Sequence, residues 1–130
     1  MKIEVSNGEI LDKHTILLIK AEKLRDANAV ENVKRELDAL SLAVSSILEH
    51  CSKVEELQEC VSALTAANTK LWEVEDALRE FERAKDFGDE FVALAREVYF
   101  TNDKRAAIKK SINQLTGSAL VEEKSYKDYR

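Results

Sequence analysis

The residues with chemical potential in this 130-residue chain are polar groups that interrupt apolar stripes. Asn68 and Glu75 fall on the stripe Val54, Leu57, Val61, Leu64, Leu71, Leu78, and Asn102 and Arg105 on the stripe Phe91, Leu94, Val98, Ile108, Ile112, Leu115. Buried polar groups raise the free energy of folding unless they are paired, so Asn68, Glu75, Asn102 and Arg105 are expected to form one network. Two readings follow. The network fixes helix register, as polar residues do in coiled coils, or it forms a small polar cleft that binds a ligand, with Trp72, Asp76, Arg79 and Asp103 at its rim. A second pattern is acidic: Glu55-Glu56-x-x-Glu59 followed by Glu73-x-x-Asp76. Carboxylates at such spacing on two facing helices can hold magnesium. His14 sits on a third stripe and reads as a hydrogen-bonded core histidine rather than a ligand or base. His50, at a helix end, suits the dipole in its charged form.

The elements that must position these groups are helices. The chain contains no proline. Three capping-box patterns, Ser6-x-x-Glu9, Asn28-x-x-Glu31 and Ser52-x-x-Glu55, each precede apolar residues at steps of three and four. Met1 to Val5 reads as a short extended stretch, with Val5 stapled to Ile10 across the first cap. The first helix carries Ile10, His14, Leu17, Ala21 and Leu24, with Leu11 and Leu18 beside them. The second runs from about Ala29 to His50 on Val33, Leu37, Leu40, Val44 and Ile47, with Cys51 next. A third of roughly 33 residues, or ~50 Å, ends at Lys85-Asp86-Phe87-Gly88. The fourth stops at Gly117, a good left-handed cap. This predicts an all-α fold: an antiparallel bundle of about four helices with a long helix 3–4 hairpin. Residues 1–130 form one domain, divided into a helical bundle at 1–117 and a polar tail at 118–130, with Leu120, Val121, Tyr126 and Tyr129 as the tail's anchors. That tail either lies along the bundle or orders on a protein partner.

Unequal helix lengths leave the end of the hairpin, about Trp72 to Phe100, projecting beyond the first two helices. It carries Trp72, Phe81, Phe87, Phe91, Tyr99 and Phe100. Two helices cannot cover six rings, and apolar surface of that size needs a partner. The expected partner is the same surface of a second chain about a two-fold axis, giving a homodimer. The competing arrangement has the first two helices offset to cover the rings within one chain.

Composition narrows the function classes. Net charge is −5 with both signs interleaved, which argues against nucleic acid or an anionic membrane as a partner. The basic stretch of Lys104, Arg105, Lys109 and Lys110 reads as helix-dipole complementarity. The longest uncharged run, Ala39 to Leu48, is too short to span a bilayer, and neither a signal peptide nor a lipidation motif is expected. Cys51 and Cys60 are too far apart on one helix to bridge. Reduced thiols then place the chain in the cytoplasm.

Catalytic fingerprints give little. Three glycines cannot form a phosphate cradle, and serine-hydrolase and dinucleotide patterns are absent. Zinc ligands are not clustered. No catalytic residue, metal or cofactor is expected. The acidic pattern is similar to the paired motifs of all-α magnesium-dependent nucleoside triphosphate pyrophosphohydrolases. Its two halves lie ~25 Å apart on one helix, so that alternative requires a turn near Thr65 to Thr69. A chorismate-mutase-like arrangement would need convergent bases, and only Arg79, Arg96 and Arg105 offer themselves.

Two stretches carry a closer likeness. One is Ser6-Asn7-Gly8-Glu9-Ile10 with Asp12-Lys13 and Thr15-Ile16-Leu17. The other runs from Leu94-Ala95-Arg96 through Val98-Tyr99, Asn102-Asp103 and Arg105 to Gly117-Ser118 and Glu122-Glu123-Lys124-Ser125-Tyr126. With Leu71-Trp72 and Glu75-Asp76 between them, they resemble a family of small, uncharacterised all-helical bacterial and phage proteins. An SNGEIxDKxTIL-like start and a GSxLVEEKSYxxY-like tail mark that family. The resemblance covers nearly the whole chain. It implies a domain of unknown function and no site residues, and His14 stands where the family pattern leads one to expect an aliphatic residue.

Overall fold

In the computed structural model, which describes residues 1–118, four helices follow one another: α1 (Asn7–Lys23), α2 (Ala27–His50), α3 (Val54–Ala84) and α4 (Asp89–Thr116). No strand occurs among the described residues. Except for Ser118, the polar tail lies outside them.

Local chemistry sets most of the boundaries. Ser6 caps α1, its Oγ accepting from the Glu9 N–H at 3.2 Å. Val5 does not staple the entry, for it is exposed, while Ile10 packs against the core. The cap of α2 is Asp26 rather than Asn28, with Oδ2 accepting from the Ala29 N–H at 2.9 Å. A carboxylate there satisfies an N–H and also complements the dipole, so the helix begins earlier than the Asn28 box implies. Ser52 does not cap α3 either. The Ncap is Lys53, without a side-chain bond, and Glu55 and Glu56 in the first turn supply the favourable charge. Cys51, just before that break, turns inward, its Sγ 3.9 Å from the Leu115 carbonyl.

α3 is unbroken over 31 residues, or ~46 Å. It ends at Lys85, a left-handed residue with φ 54°. Asp86 Oδ1 then accepts from the Gly88 N–H at 3.2 Å, and Gly88 is the Ncap of α4. Gly117, at φ 64°, ends α4 as its sequence position suggests.

α1 packs against α2, α3 and α4, and α3 packs along α4. The core sits at the end where α2 gives way to α3. There Leu11, Ile47, Leu57, Leu64 and Ile112 cluster, with Val44, Leu48, Val61 and Ile108 packed around them. Burial continues up α3 through Ala67, Leu71 and Val74 and then stops. From residue 75 to residue 100 no residue is buried, and burial resumes only at Thr101 on α4.

Candidate functional site

Along α1, Gly8, Asp12, Thr15 and Ile19 are all buried, and the first three face α3 and α4. Steps of four, three and four place them on one stripe. Two of the four are polar, and the rest of the site is built around them. Asp12 is 1% exposed. Asn68 Nδ2 on α3 donates to Asp12 Oδ1 at 2.9 Å and to Thr15 Oγ1 at 2.8 Å. Thr15 in turn donates to the Asp12 carbonyl at 2.7 Å. From α4, Arg105 Nε donates to Asp12 Oδ1 at 2.9 Å, and its Nη2 pairs with Oδ2. This two-point guanidinium–carboxylate geometry is the strong form of an ion pair.

Toward the start of α1 the seam continues. Lys109 Nζ meets Glu9 Oε2 at 3.0 Å. Gly8 donates its N–H to Asn113 Oδ1 at 2.7 Å. Asn7 donates from Nδ2 to Thr116 Oγ1 at 3.0 Å and from its backbone to Ser118 Oγ at 3.2 Å. Numbers rise along α1 as they fall along α4, so these two helices run in opposite directions. Gly8 is required by proximity: a Cβ there would stand 2.5 Å from the Lys109 carbonyl oxygen.

Of the residues singled out from sequence, Asn68 and Arg105 are brought together, each on Asp12. Glu75 is exposed and not part of the seam. Asp76 and Arg79 are exposed and face each other at 4.0 Å, one helical turn apart. Trp72, Asn102 and Asp103 are half-buried. Among the described residues every buried side-chain nitrogen and oxygen has a partner, so the seam directs no unpaired group at a ligand. His14 lies half-buried beside the stripe, and burial pushes its pKa below the usual 6.5.

The acidic pattern meets its geometric test on α3. No turn interrupts residues 65–69, and Glu55, Glu56, Glu59, Glu73 and Asp76 are exposed along a single rod. The two halves stand ~25 Å apart and cannot share an ion. Among the described residues no group of three or more His, Cys, Asp or Glu side chains is arranged to hold a metal. Nor do the three arginines converge. Arg79 faces Asp76, Arg96 lies over the Phe100 ring at 5.6 Å, and Arg105 binds Asp12.

The hairpin end beyond Val74 is the other conspicuous surface. Phe87 and Val92 are 50% and 51% exposed. Phe87 stands edge-on to Phe91, centroids 5.1 Å apart and planes at 77°, and Tyr99 lies 4.9 Å from Phe100. Phe81, Phe91 and Phe100 are half-buried. Trp72, also half-buried, precedes the last buried residue of α3, so the uncovered stretch starts about one turn later than the sequence suggests. At the opposite end of the hairpin, a shallow groove of about 870 Å³ runs over Cys60, Ala63, Ala107, Ile108 and Leu115. Cys60 and Cys51 are free thiols. Burial, then Glu59 and Glu56, push the Cys60 thiol pKa up, which disfavours the thiolate.

These features define an all-helical domain whose first helix is clamped by a buried ionic seam and whose α3–α4 hairpin ends in an exposed Phe87 with half-buried rings below it. No helix among the described residues is long and apolar enough to cross a membrane. The chain belongs to a family of unknown function, DUF6165, whose model matches residues 1–129. No curated protein and no solved structure gives a significant match.

Proposed function

We propose that this chain is a non-catalytic helical binding or assembly module that self-associates through the aromatic end of the α3–α4 hairpin, its four helices forming an antiparallel bundle with coiled-coil-like seams. One observation carries the reading. Twenty-six consecutive positions, 75–100, include Leu78, Phe81, Phe87, Phe91 and Val92, and none is buried. Apolar side chains left without full cover near the end of a hairpin favour association over solvation. The polar seam is better suited to fixing α1 on the hairpin than to binding a ligand, because its members satisfy one another.

The same reading keeps the chain in the cytoplasm of a bacterium or in a phage-infected cell. It gives the chain neither nucleic acid nor membrane as a partner, and it leaves residues 118–130 for a protein partner. Sedimentation equilibrium of the full chain at micromolar concentration is the test. The expected mass is twice 14.7 kDa. A monomer throughout the range overturns self-association.

A further inference from the structure

Resting on that self-association, we infer how the second copy is held: Phe87 of each chain seats in a depression below the tip of the other. Phe87 occupies the turn between α3 and α4 and is 50% exposed. Below it the hairpin surface dips into a depression of about 300 Å³ lined by Glu75, Leu78, Arg79, Glu82 and Phe91. Its floor is apolar, from Leu78 and Phe91. An enclosed cavity of about 150 Å³ takes benzene, so this open depression has volume enough for a phenyl side chain. The chain's own Phe87 packs against Phe91 from the tip side and is not among the lining residues.

Spacing and charge both favour a second copy of this chain as the occupant. The depression is centred near Leu78, about nine residues or ~13 Å below Phe87 along the helix axis. Two tips overlapping by that length about a two-fold axis enclose roughly the stretch in which nothing is buried. The contact is then made twice and closes at two chains, whereas a one-way contact would propagate. The rim of the depression alternates negative, positive, negative through Glu75, Arg79 and Glu82. Lys85 and Asp86 precede Phe87 in the turn, and Asp89 follows it. Lys85 of one copy can face Glu75 or Glu82 of the other, and Asp86 or Asp89 can face Arg79. The present partners of these groups are exposed neighbours on the same helix, Lys85–Glu82 at 2.8 Å and Arg79–Asp76 at 4.0 Å. Such pairs are weak and are readily exchanged.

The test uses the full chain with Cys51→Ser and Cys60→Ser, so that only introduced thiols react. One preparation adds Phe87→Cys and another Leu78→Cys. Mixed and mildly oxidised, they should form the mixed disulfide at least tenfold faster than either forms its own. Faster coupling of Phe87→Cys to itself means the tips meet head-on and overturns the inference, as does equal coupling of all pairs. In parallel, Phe87→Ala should raise the dimer dissociation constant by roughly a hundredfold, about tenfold for each ring lost. Phe87 is on an exposed turn, so an unchanged helical circular dichroism spectrum and melting temperature for the monomer confirm that the variant folds. A wild-type chain that is monomeric overturns the self-association itself. A dimer whose dissociation constant Phe87→Ala leaves unchanged overturns only the reciprocal seat.

Discussion

Asp12→Ala is the most informative single change. Asp12 is 1% exposed and receives Arg105 at two points and Asn68 at one. Removing one partner of a buried ion pair destabilises by about 3–5 kcal/mol, because the other charge loses its buried counter-ion. Two details set the figure at the low end. The Arg105 side chain keeps 25% of its exposure and can turn its guanidinium to water. Asn68 keeps Thr15 Oγ1 at 2.8 Å as an acceptor. The expected loss is therefore ~3 kcal/mol, out of a total of ~5–15 kcal/mol for a domain of this size. At about 3–4 °C per kcal/mol, the melting temperature should fall by ~10 °C. Urea unfolding followed by circular dichroism measures the free energy directly. The double variant Asp12→Leu with Arg105→Met should recover most of the loss, since an apolar pair of similar volume replaces the ions without leaving a charge behind. A single-variant loss below ~1 kcal/mol, or a double variant as unstable as the single, refutes the buried-charge reasoning.

Three further outcomes are expected. Gly8→Ala places a methyl 2.5 Å from the Lys109 carbonyl and 3.0 Å from Asn113 Oδ1, so α1 must lift off α4; the loss should be about 1–3 kcal/mol by urea unfolding, although alanine is the better helix former. Lys85→Gly relieves a side chain held at φ 54° and should stabilise by about 0.5–1 kcal/mol by the same method; a loss would mean that the Lys85–Glu82 pair outweighs the backbone term. Burial lowers the His14 pKa below 6.5, so the unfolded chain binds the proton more readily; stability should be full above that pH and decline as pH falls through it, and a melting-temperature profile from pH 8 to 5 should be flatter for His14→Leu than for wild type.

Helix number, order and most ends were readable from the chain because capping residues and glycine act locally. Ser6 and Gly117 behave as their positions imply. The caps at Asn28 and Ser52 failed because a competing residue nearby, Asp26 or Lys53, took the position. The site was half-legible. Asn68 and Arg105 stand out on apolar stripes and do meet, but the residue joining them was missed. Asp12 is charged, and apolar periodicity assigns a charged residue on an amphipathic helix to the solvent face. The available signal was the stripe Gly8, Asp12, Thr15, Ile19, whose small and apolar ends mark a packed face. On α4 the stripe read from sequence shares Ile112 with the buried set, and its Ile108 packs on the core, but the buried Thr101, Lys109 and Asn113 lie beside that stripe rather than on it. Lys109 is 8% exposed, a burial that composition alone would not assign to lysine.

Burial and polar pairing are concentrated at one end of the fold, and the exposed Phe87 with half-buried rings at the other. Asp12, Asn68, Arg105 and Lys109 lie with the Leu11–Leu57–Ile112 cluster, while nothing between Val74 and Thr101 is buried. The α1–α4 pairs from Asn7–Thr116 to Asp12–Arg105, extended at 1.5 Å per residue, bring the last turn of α1 level with about residues 94–98 of α4. The remainder of the hairpin is therefore a two-helix arm beyond the reach of α1. A two-helix arm contributes little to the stability of the chain that carries it. Its substitutions should act on association and leave unfolding almost unchanged, and those in the ionic seam should do the reverse. Distant sites of this kind add within ~0.5 kcal/mol. Combining Asp12→Ala with Phe87→Ala tests the division: if the double variant's unfolding free energy departs from the sum measured on monomers, seam and arm are coupled through α3, and the arm is more than a docking surface.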